Sequence, residues 1–277
     1  MALFGSSSAT NSKFQSTFRI SSIIALTSLI WLSGCAVNHS KTQLQPLTQT
    51  HNECVVLVHG LWRSGFAMRT LANEFEAKGY HTVSIDYPST EKDIPTLAEQ
   101  HLSPGVRKCQ QQRASKIHLV SHSMGGILIR AYLQTHALPE GSRVVMMSPP
   151  NQGSALTEAF GKHLWYQNLV GPAATSLTKQ THGIITKLQP IKQELGIIAA
   201  YRKWSIWPSS WLPAPNDGTV AVENMKLPEM DDFIMINSGH AVMRNNDQVM
   251  YQAIHFIQQG HFFNATTSPL ISNNQQI

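Results

Sequence analysis

The stretch Lys116-Ile-His-Leu-Val-Ser-His-Ser-Met-Gly-Gly-Ile-Leu-Ile-Arg130 constrains this chain more than any other. It reads as a short buried strand (Ile117, Leu119, Val120), a very tight turn, and an apolar helix carrying Ile127, Leu128, Ile129, Tyr132 and Leu133. The turn, Ser121-His122-Ser123-Met124-Gly125, fits the pattern G-x-S-x-G except at its first position. A turn this sharp strains its central residue, so the residues two away on either side must be small if strand and helix are to pack closely. Gly125 meets that demand fully, and Ser121 is small but stands where glycine is usual. The geometry lifts the Ser123 hydroxyl above the sheet edge. There the Met124 N–H and the positive end of the helix can stabilise a developing negative charge. The pentapeptide alone also fits an ordinary Ser-Gly turn.

The flanking segments alternate between the two periodicities. Cys54-Val-Val-Leu-Val-His-Gly60 is a continuous apolar run, as expected of a strand covered on both faces. Phe66 to Lys78 places Met68, Leu71, Ala72 and Phe75 on one helical face and stops at Gly79. A strand follows over His81–Tyr87, and residues 93–113 read as helix with a break at Pro104-Gly105. After the central stretch come strands at Arg143–Ser148, Leu195–Tyr201 and Asp232–Asn237. A last helix has Met250, Ile254 and Ile257 on its buried face. Strand and helix alternating in this way predict a mostly parallel sheet with helices on both faces. Between Asn151 and Glu194 the pattern weakens into short helical pieces punctuated by glycine, read as a small cap over 151–194. Three Trp and three Pro between Lys203 and Pro215 suggest a rigid loop that either lines a pocket, touches a membrane surface or packs on the core.

The first 34 residues read as a targeting segment rather than as part of the fold. A polar start ending in Arg19 precedes an apolar run from Ile20 to Leu32, short for a membrane span, and Leu32-Ser33-Gly34-Cys35 follows. This resembles the lipobox of bacterial lipoproteins, in which the cysteine, here Cys35, becomes the lipidated first residue of the mature chain. That resemblance implies a cell-envelope protein anchored by lipid. Ala36 after the cysteine implies the outer membrane, facing the periplasm, over the inner one. Residues 35–52 would be the lipidated cysteine and its tether, 53–262 the folded domain, and 263–277 a frayed tail. With Cys35 set aside, Cys54 and Cys109 remain. They flank neighbouring strands at ends that a parallel sheet brings to the same side, so a disulfide or two buried thiols would fit.

An activated serine needs a base to take its proton and an acid to orient that base. Of thirteen histidines, His240 has a strand directly before it and a helix after it, whereas His255 and His261 lie in or beyond the last helix. Asp217, before Gly218 and 23 positions upstream of His240, is the candidate acid. Asp231 and Asp232 open their strand at the opposite end, and Glu223 is a weaker rival.

Together Val-His-Gly-Leu (58–61), Ser-His-Ser-Met-Gly-Gly (121–126), Asn-Asp-Gly-Thr-Val (216–220) and His240 resemble the bacterial α/β-hydrolases of lipase/esterase type, over roughly residues 53–260. The resemblance implies an α/β-hydrolase fold, Ser123 as nucleophile, His240 as base and Asp217 as its orienting acid. It also implies backbone N–H groups of Leu61 and Met124 as the oxyanion hole, with His59 ordering its loop. No cofactor or metal is expected. His118 and His122 are spaced as H-x-x-x-H but run along a strand into a turn, and no zinc-protease glutamate follows the first.

The net charge of +5 falls to 19 basic against 16 acidic residues once residues 1–34 are set aside, and no Lys/Arg-rich run exists, so nucleic acid is not an expected partner. The expected partners are a small-molecule or lipid ester substrate and a membrane reached through the N-terminal lipid, with the protein itself a monomer. Three functions stay open at this point: ester hydrolysis, acyl transfer or thioester cleavage by the same site, and a catalytically silent binding protein on the same scaffold.

Overall fold

The computed structural model describes residues 52–202 and 211–264. Cys35, the segment 1–34, most of the tether, residues 203–210 of the Trp-Pro loop and residues 265–277 of the tail lie outside the described residues.

Among the described residues six strands form one all-parallel sheet. They are β1 (Glu53–Val58), β2 (His81–Ile85), β3 (Lys116–His122), β4 (Arg143–Met147), β5 (Glu194–Tyr201) and β6 (Asp232–Asn237), in the order β2-β1-β3-β4-β5-β6. The helices that connect and cover them are α1 (Arg69–Ala77), α2 (Ile94–Leu97), α3 (Ser103–Gln111), α4 (Gly125–Tyr132), α5 (Ala155–Phe160), α6 (Leu164–Thr175), α7 (Val222–Met225) and α8 (Asp247–Gln259). Because side chains alternate along a strand, the apolar runs feed two cores at once. Cys54, Val56 and Val58 of β1, Ile117 and Leu119 of β3 and Val144 and Met146 of β4 point into one layer. Val55, Leu57, Val120, Val145 and Met147 point into the other, where α1 and α8 supply Leu71, Phe75, Phe256 and Ile257. Gly196 in β5 lets α8 come close, since a Cβ there would stand 2.6 Å from the Phe256 ring.

The helix over residues 93–113 does not break at Pro104-Gly105. The irregularity falls earlier, in a π turn at Ala98–Leu102, and α3 runs on through both residues. Pro104 sits at the second position of α3, where the missing N–H is easily tolerated. Gly105 is needed for packing, since a Cβ would stand 2.5 Å from Ile85. The second strand ends at Ile85, two residues before the expected Tyr87, because Tyr87 turns to serve the β1 loop: its hydroxyl donates to the His59 carbonyl at 2.5 Å. Cys54 and Cys109 form a disulfide with Cα atoms 5.7 Å apart, joining the start of β1 to α3 across 55 positions.

Chain order reverses between β2-β1 and β3, so the C-terminal ends of β1 and β3 flank a topological switch point, where open α/β sheets form their crevice. His59-Gly60 and the Ser123 turn both lie there.

Among the described residues His59, His118 and His122 are the histidines buried in the sheet or at its rim. His118 accepts the Arg143 N–H at Nδ1 (3.0 Å), so its proton is on Nε2, which donates to Glu53 (3.1 Å). Burial pushes all three below the ordinary histidine value, His122 to about 3, against the raising effect of hydrogen bonds to Gly60, Glu53 and the His240 carbonyl. A depressed folded pKa gives stability that is complete above the unfolded value and lost as pH falls. Unfolding free energy should therefore drop as pH falls below about 6.5, with His122 alone giving a slope approaching about 1.4 kcal/mol per pH unit and His59 and His118 adding to it, before most carboxylates titrate. Urea melts between pH 7.5 and 5 check this, and a flat profile over that range would contradict it.

Candidate active site

The turn after β3 holds Ser123 at φ +56°, a left-handed conformation that a non-glycine residue adopts only when its surroundings enforce it. Three features enforce it. The Ser123 N–H donates to the Met147 carbonyl of β4 at 2.8 Å, and the Gly126 N–H closes the turn onto the Ser123 carbonyl at 3.0 Å. Gly125 lets α4 press against β1, where a Cβ would meet the carbonyl oxygens of Val58 and His59 at 2.6 Å. Ser121, at the position where glycine is usual, is fully buried in β3 and its hydroxyl has no hydrogen-bond partner.

Ser123, His240 and Asp217 converge. His240 Nε2 stands 2.9 Å from Ser123 Oγ, and its Nδ1 stands 2.6 Å from Asp217 Oδ2. The other Asp217 oxygen accepts the N–H groups of Val220 (2.7 Å) and Thr219 (2.9 Å), while the Asp217 carbonyl accepts the His240 N–H (3.0 Å). Burial works to raise the Asp217 pKa. The facing His240 ring and the two backbone donors outweigh it and hold the carboxyl below its ordinary value. An ionised Asp217 can only accept, so His240 Nδ1 carries the proton and its Nε2 lone pair faces the serine hydroxyl. The arrangement can move a proton from Ser123 to His240 while Asp217 holds the ring and its charge. Asp231 and Asp232 take no part in it, because they accept the N–H groups of Leu195 and Phe262 respectively. Glu223 pairs with Lys226.

His59 stacks on Tyr87 with ring centroids 4.0 Å apart, donates to the Gly60 carbonyl and accepts the Tyr87 N–H, so it orders the loop. Beyond it, Trp62 takes a φ of +56° and donates its N–H to Ser89 Oγ (3.0 Å). Of the two N–H groups after Gly60, that of Trp62 is therefore engaged elsewhere. Leu61 and Met124 both line a cavity of about 240 Å3 together with Ser123 and His240. Its far wall comes from the segment after β4, with Leu156, Tyr166, Val170, Ala174 and Leu177. The hydroxyls along that wall are engaged: Thr157 donates to the Ala174 carbonyl and receives Tyr166, each at 3.0 Å, leaving an apolar surface. Trp62 Nε1 donates to the Leu169 carbonyl (3.1 Å), tying the β1 loop to α6.

One contributor escaped the sequence. His122, considered there only as half of a metal pair, lies under the His240 ring (centroids 4.8 Å apart) and donates from Nε2 to the His240 carbonyl at 2.8 Å. Burial, with the neighbouring His240, keeps it neutral, so it anchors the histidine loop without competing for the proton. The only signal was its place beside Ser123 in the turn, which fixes no direction for the side chain. Among the described residues, no group of three His, Cys, Asp or Glu side chains could hold a metal ion.

Sequence and structure comparisons agree with this architecture. Residues 55–252 match the model of the alpha/beta hydrolase family, so the chain belongs to that family. No curated protein matches it by sequence. Among solved structures, the lipase BlEst2 of Bacillus licheniformis in its mature form is similar at 20% identity and a TM-score of 0.60, over 73% of this chain and 91% of that one. The phospholipase PlaB of Legionella pneumophila is similar at 13% identity and a TM-score of 0.52, over 74% of this chain and 57% of that one. At these identities the likeness is one of fold.

Gly60 faces the turn so closely that a Cβ would stand 2.9 Å from Ser123 Cβ and 3.2 Å from His122 Nδ1. Gly60→Ala should therefore displace the serine rather than the core. We expect kcat/KM on a soluble ester to fall about a hundredfold, with unfolding free energy lowered by no more than about 3 kcal/mol. Steady-state kinetics alongside denaturant melts check this; unchanged kinetics would contradict it.

Proposed function

We propose that the protein is a serine hydrolase of carboxylic esters. The observation that carries the reading is the unbroken hydrogen-bond chain from Ser123 through His240 to Asp217, opening into an apolar cavity. Ser123 Oγ attacks the ester carbonyl as His240 Nε2 takes its proton. The Leu61 and Met124 N–H groups receive the oxyanion, and Asp217 stabilises the imidazolium. Collapse expels the alcohol with the proton from His240 and leaves an acyl group on Ser123. Water, activated by the same histidine, then releases the acid.

The apolar wall selects an acyl chain. The cavity of about 240 Å3 that this wall bounds would receive that chain. The proposal extends to place: lipid on Cys35 and a short tether would hold the domain at the surface of the outer membrane, facing the periplasm.

Kinetics with p-nitrophenyl octanoate test the proposal. Ser123→Ala and His240→Ala should each lower kcat by about a millionfold and add little to one another. Asp217→Asn should lower it by about ten-thousandfold, through the wrong histidine tautomer. A Ser123→Ala variant keeping more than a tenth of the activity would sink the reading.

A further inference from the structure

A second concavity, of about 610 Å3, opens beside the catalytic cavity and shares Trp62 and Arg63 with it. Arg63, Arg69 and Arg244 line it, and no carboxylate does. Among the described residues three other basic side chains pair with acids: Lys116 with Glu53, Arg143 with Glu194 and Lys226 with Glu223. None of the three groove arginines makes an ion pair among the described residues. Asp86, across the β1 loop, accepts the Gly65 N–H at 2.6 Å instead.

Two of the three guanidinium groups are also held in place. Arg244 donates from Nε to the Ala67 carbonyl (2.9 Å) and from Nη1 to the Ala241 carbonyl, next to His240. Arg69 lies over the Phe66 ring, 4.3 Å from its centroid. Burial and the positive charge of Arg63 hold Arg244 below its ordinary value. The like charges of Arg63 and Arg244, brought together, raise the energy of the empty groove, and a bound anion relieves it. Trp62 and Phe66, 55% and 68% exposed, add apolar surface along the same groove.

We propose that this groove binds a phosphate-type oxyanion carried on the alcohol side of the ester, so that the substrate is an acylated, anionic alcohol such as an acylglycerol phosphate. The inference rests on the serine-hydrolase reading. The side of the ester follows from desolvation: the wall that the segment after β4 gives the acyl cavity is apolar and cannot house a charge, whereas the planar guanidinium groups, of which only Arg63 lines both concavities, match phosphate oxygens. No new chemical step is needed. The anion positions the ester, and the alcohol phosphate leaves with the proton from His240.

The experiment compares two esters with the same acyl group, monooctanoylglycerol and monooctanoylglycerol phosphate, both below their micellar concentrations. The parent protein should favour the phosphate by about tenfold or more in kcat/KM, as charge-assisted hydrogen bonds imply. That ratio should fall toward one in Arg63→Gln, Arg69→Gln and Arg244→Gln, and in the parent protein as salt is raised. Melting temperatures identify any variant that has lost its fold, and the surviving variants carry the comparison. No preference in the parent, or a ratio unmoved by the substitutions, overturns the proposal.

Failure of the hydrolase reading shows separately, as no turnover of either ester. Calorimetric titration of the parent with the phosphate ester then decides: binding lost in Arg63→Gln keeps the anion site, and no binding removes it. Inorganic phosphate binding as tightly as the acylated phosphate would make the groove a free-anion site and overturn the substrate assignment. Loss of binding to phosphatidylglycerol vesicles in the arginine variants, with the ester ratio unchanged, would make it a membrane-facing patch and likewise overturn it.

Discussion

Everything at the centre of this molecule depends on holding one serine in a backbone conformation that it resists. A left-handed residue at Ser123 costs about 1–3 kcal/mol. The surrounding structure supplies more than that: β4 accepts the Ser123 N–H, and the buried apolar face of α4 packs onto the sheet. The strain also sets the distances. Gly60 and Gly125 lack side chains because the turn brings β1 and its loop to within 3 Å of where a Cβ would stand. A looser turn would lower the serine and lengthen its 2.9 Å contact with His240.

The other two members of the constellation reach it by a different route. Asp217 and His240 come from loops following β5 and β6, and they are bound to each other through the His240 N–H as well as through their side chains. His122 then fastens the His240 backbone to the serine turn. The three groups are thus one hydrogen-bonded unit spanning β3, β5 and β6. This explains why three neutral buried histidines, costly in acid, lie in the sheet or at its rim: His122 positions His240, His59 shapes the β1 loop, and His118 joins β3 to β1 through Glu53.

Much of the fold was legible in the sequence because parallel strands covered on both faces read as unbroken apolar runs, and those runs placed five strands nearly to the residue. The strand at 81–87 was read too long because Tyr87 is apolar enough to extend the pattern but is used for its hydroxyl. The break near Pro104 was misplaced because proline is tolerated at a helix start, and a π turn has no residue signature. The convergence of Ser123, Asp217 and His240 was foreseeable from their positions at strand ends. The arginine groove was not: Arg63, Arg69 and Arg244 belong to segments separated by up to 181 positions, so no charge run announces them.

The central claim is that Ser123 forms a covalent bond to the acyl group. Mass spectrometry of the protein quenched in acid within the first turnovers of p-nitrophenyl octanoate tests it directly. We expect a mass increase of one octanoyl group, mapped to the peptide containing Ser123 and absent in Ser123→Ala. Rapid turnover with no adduct at any quench time, or an adduct on another residue, would contradict the claim.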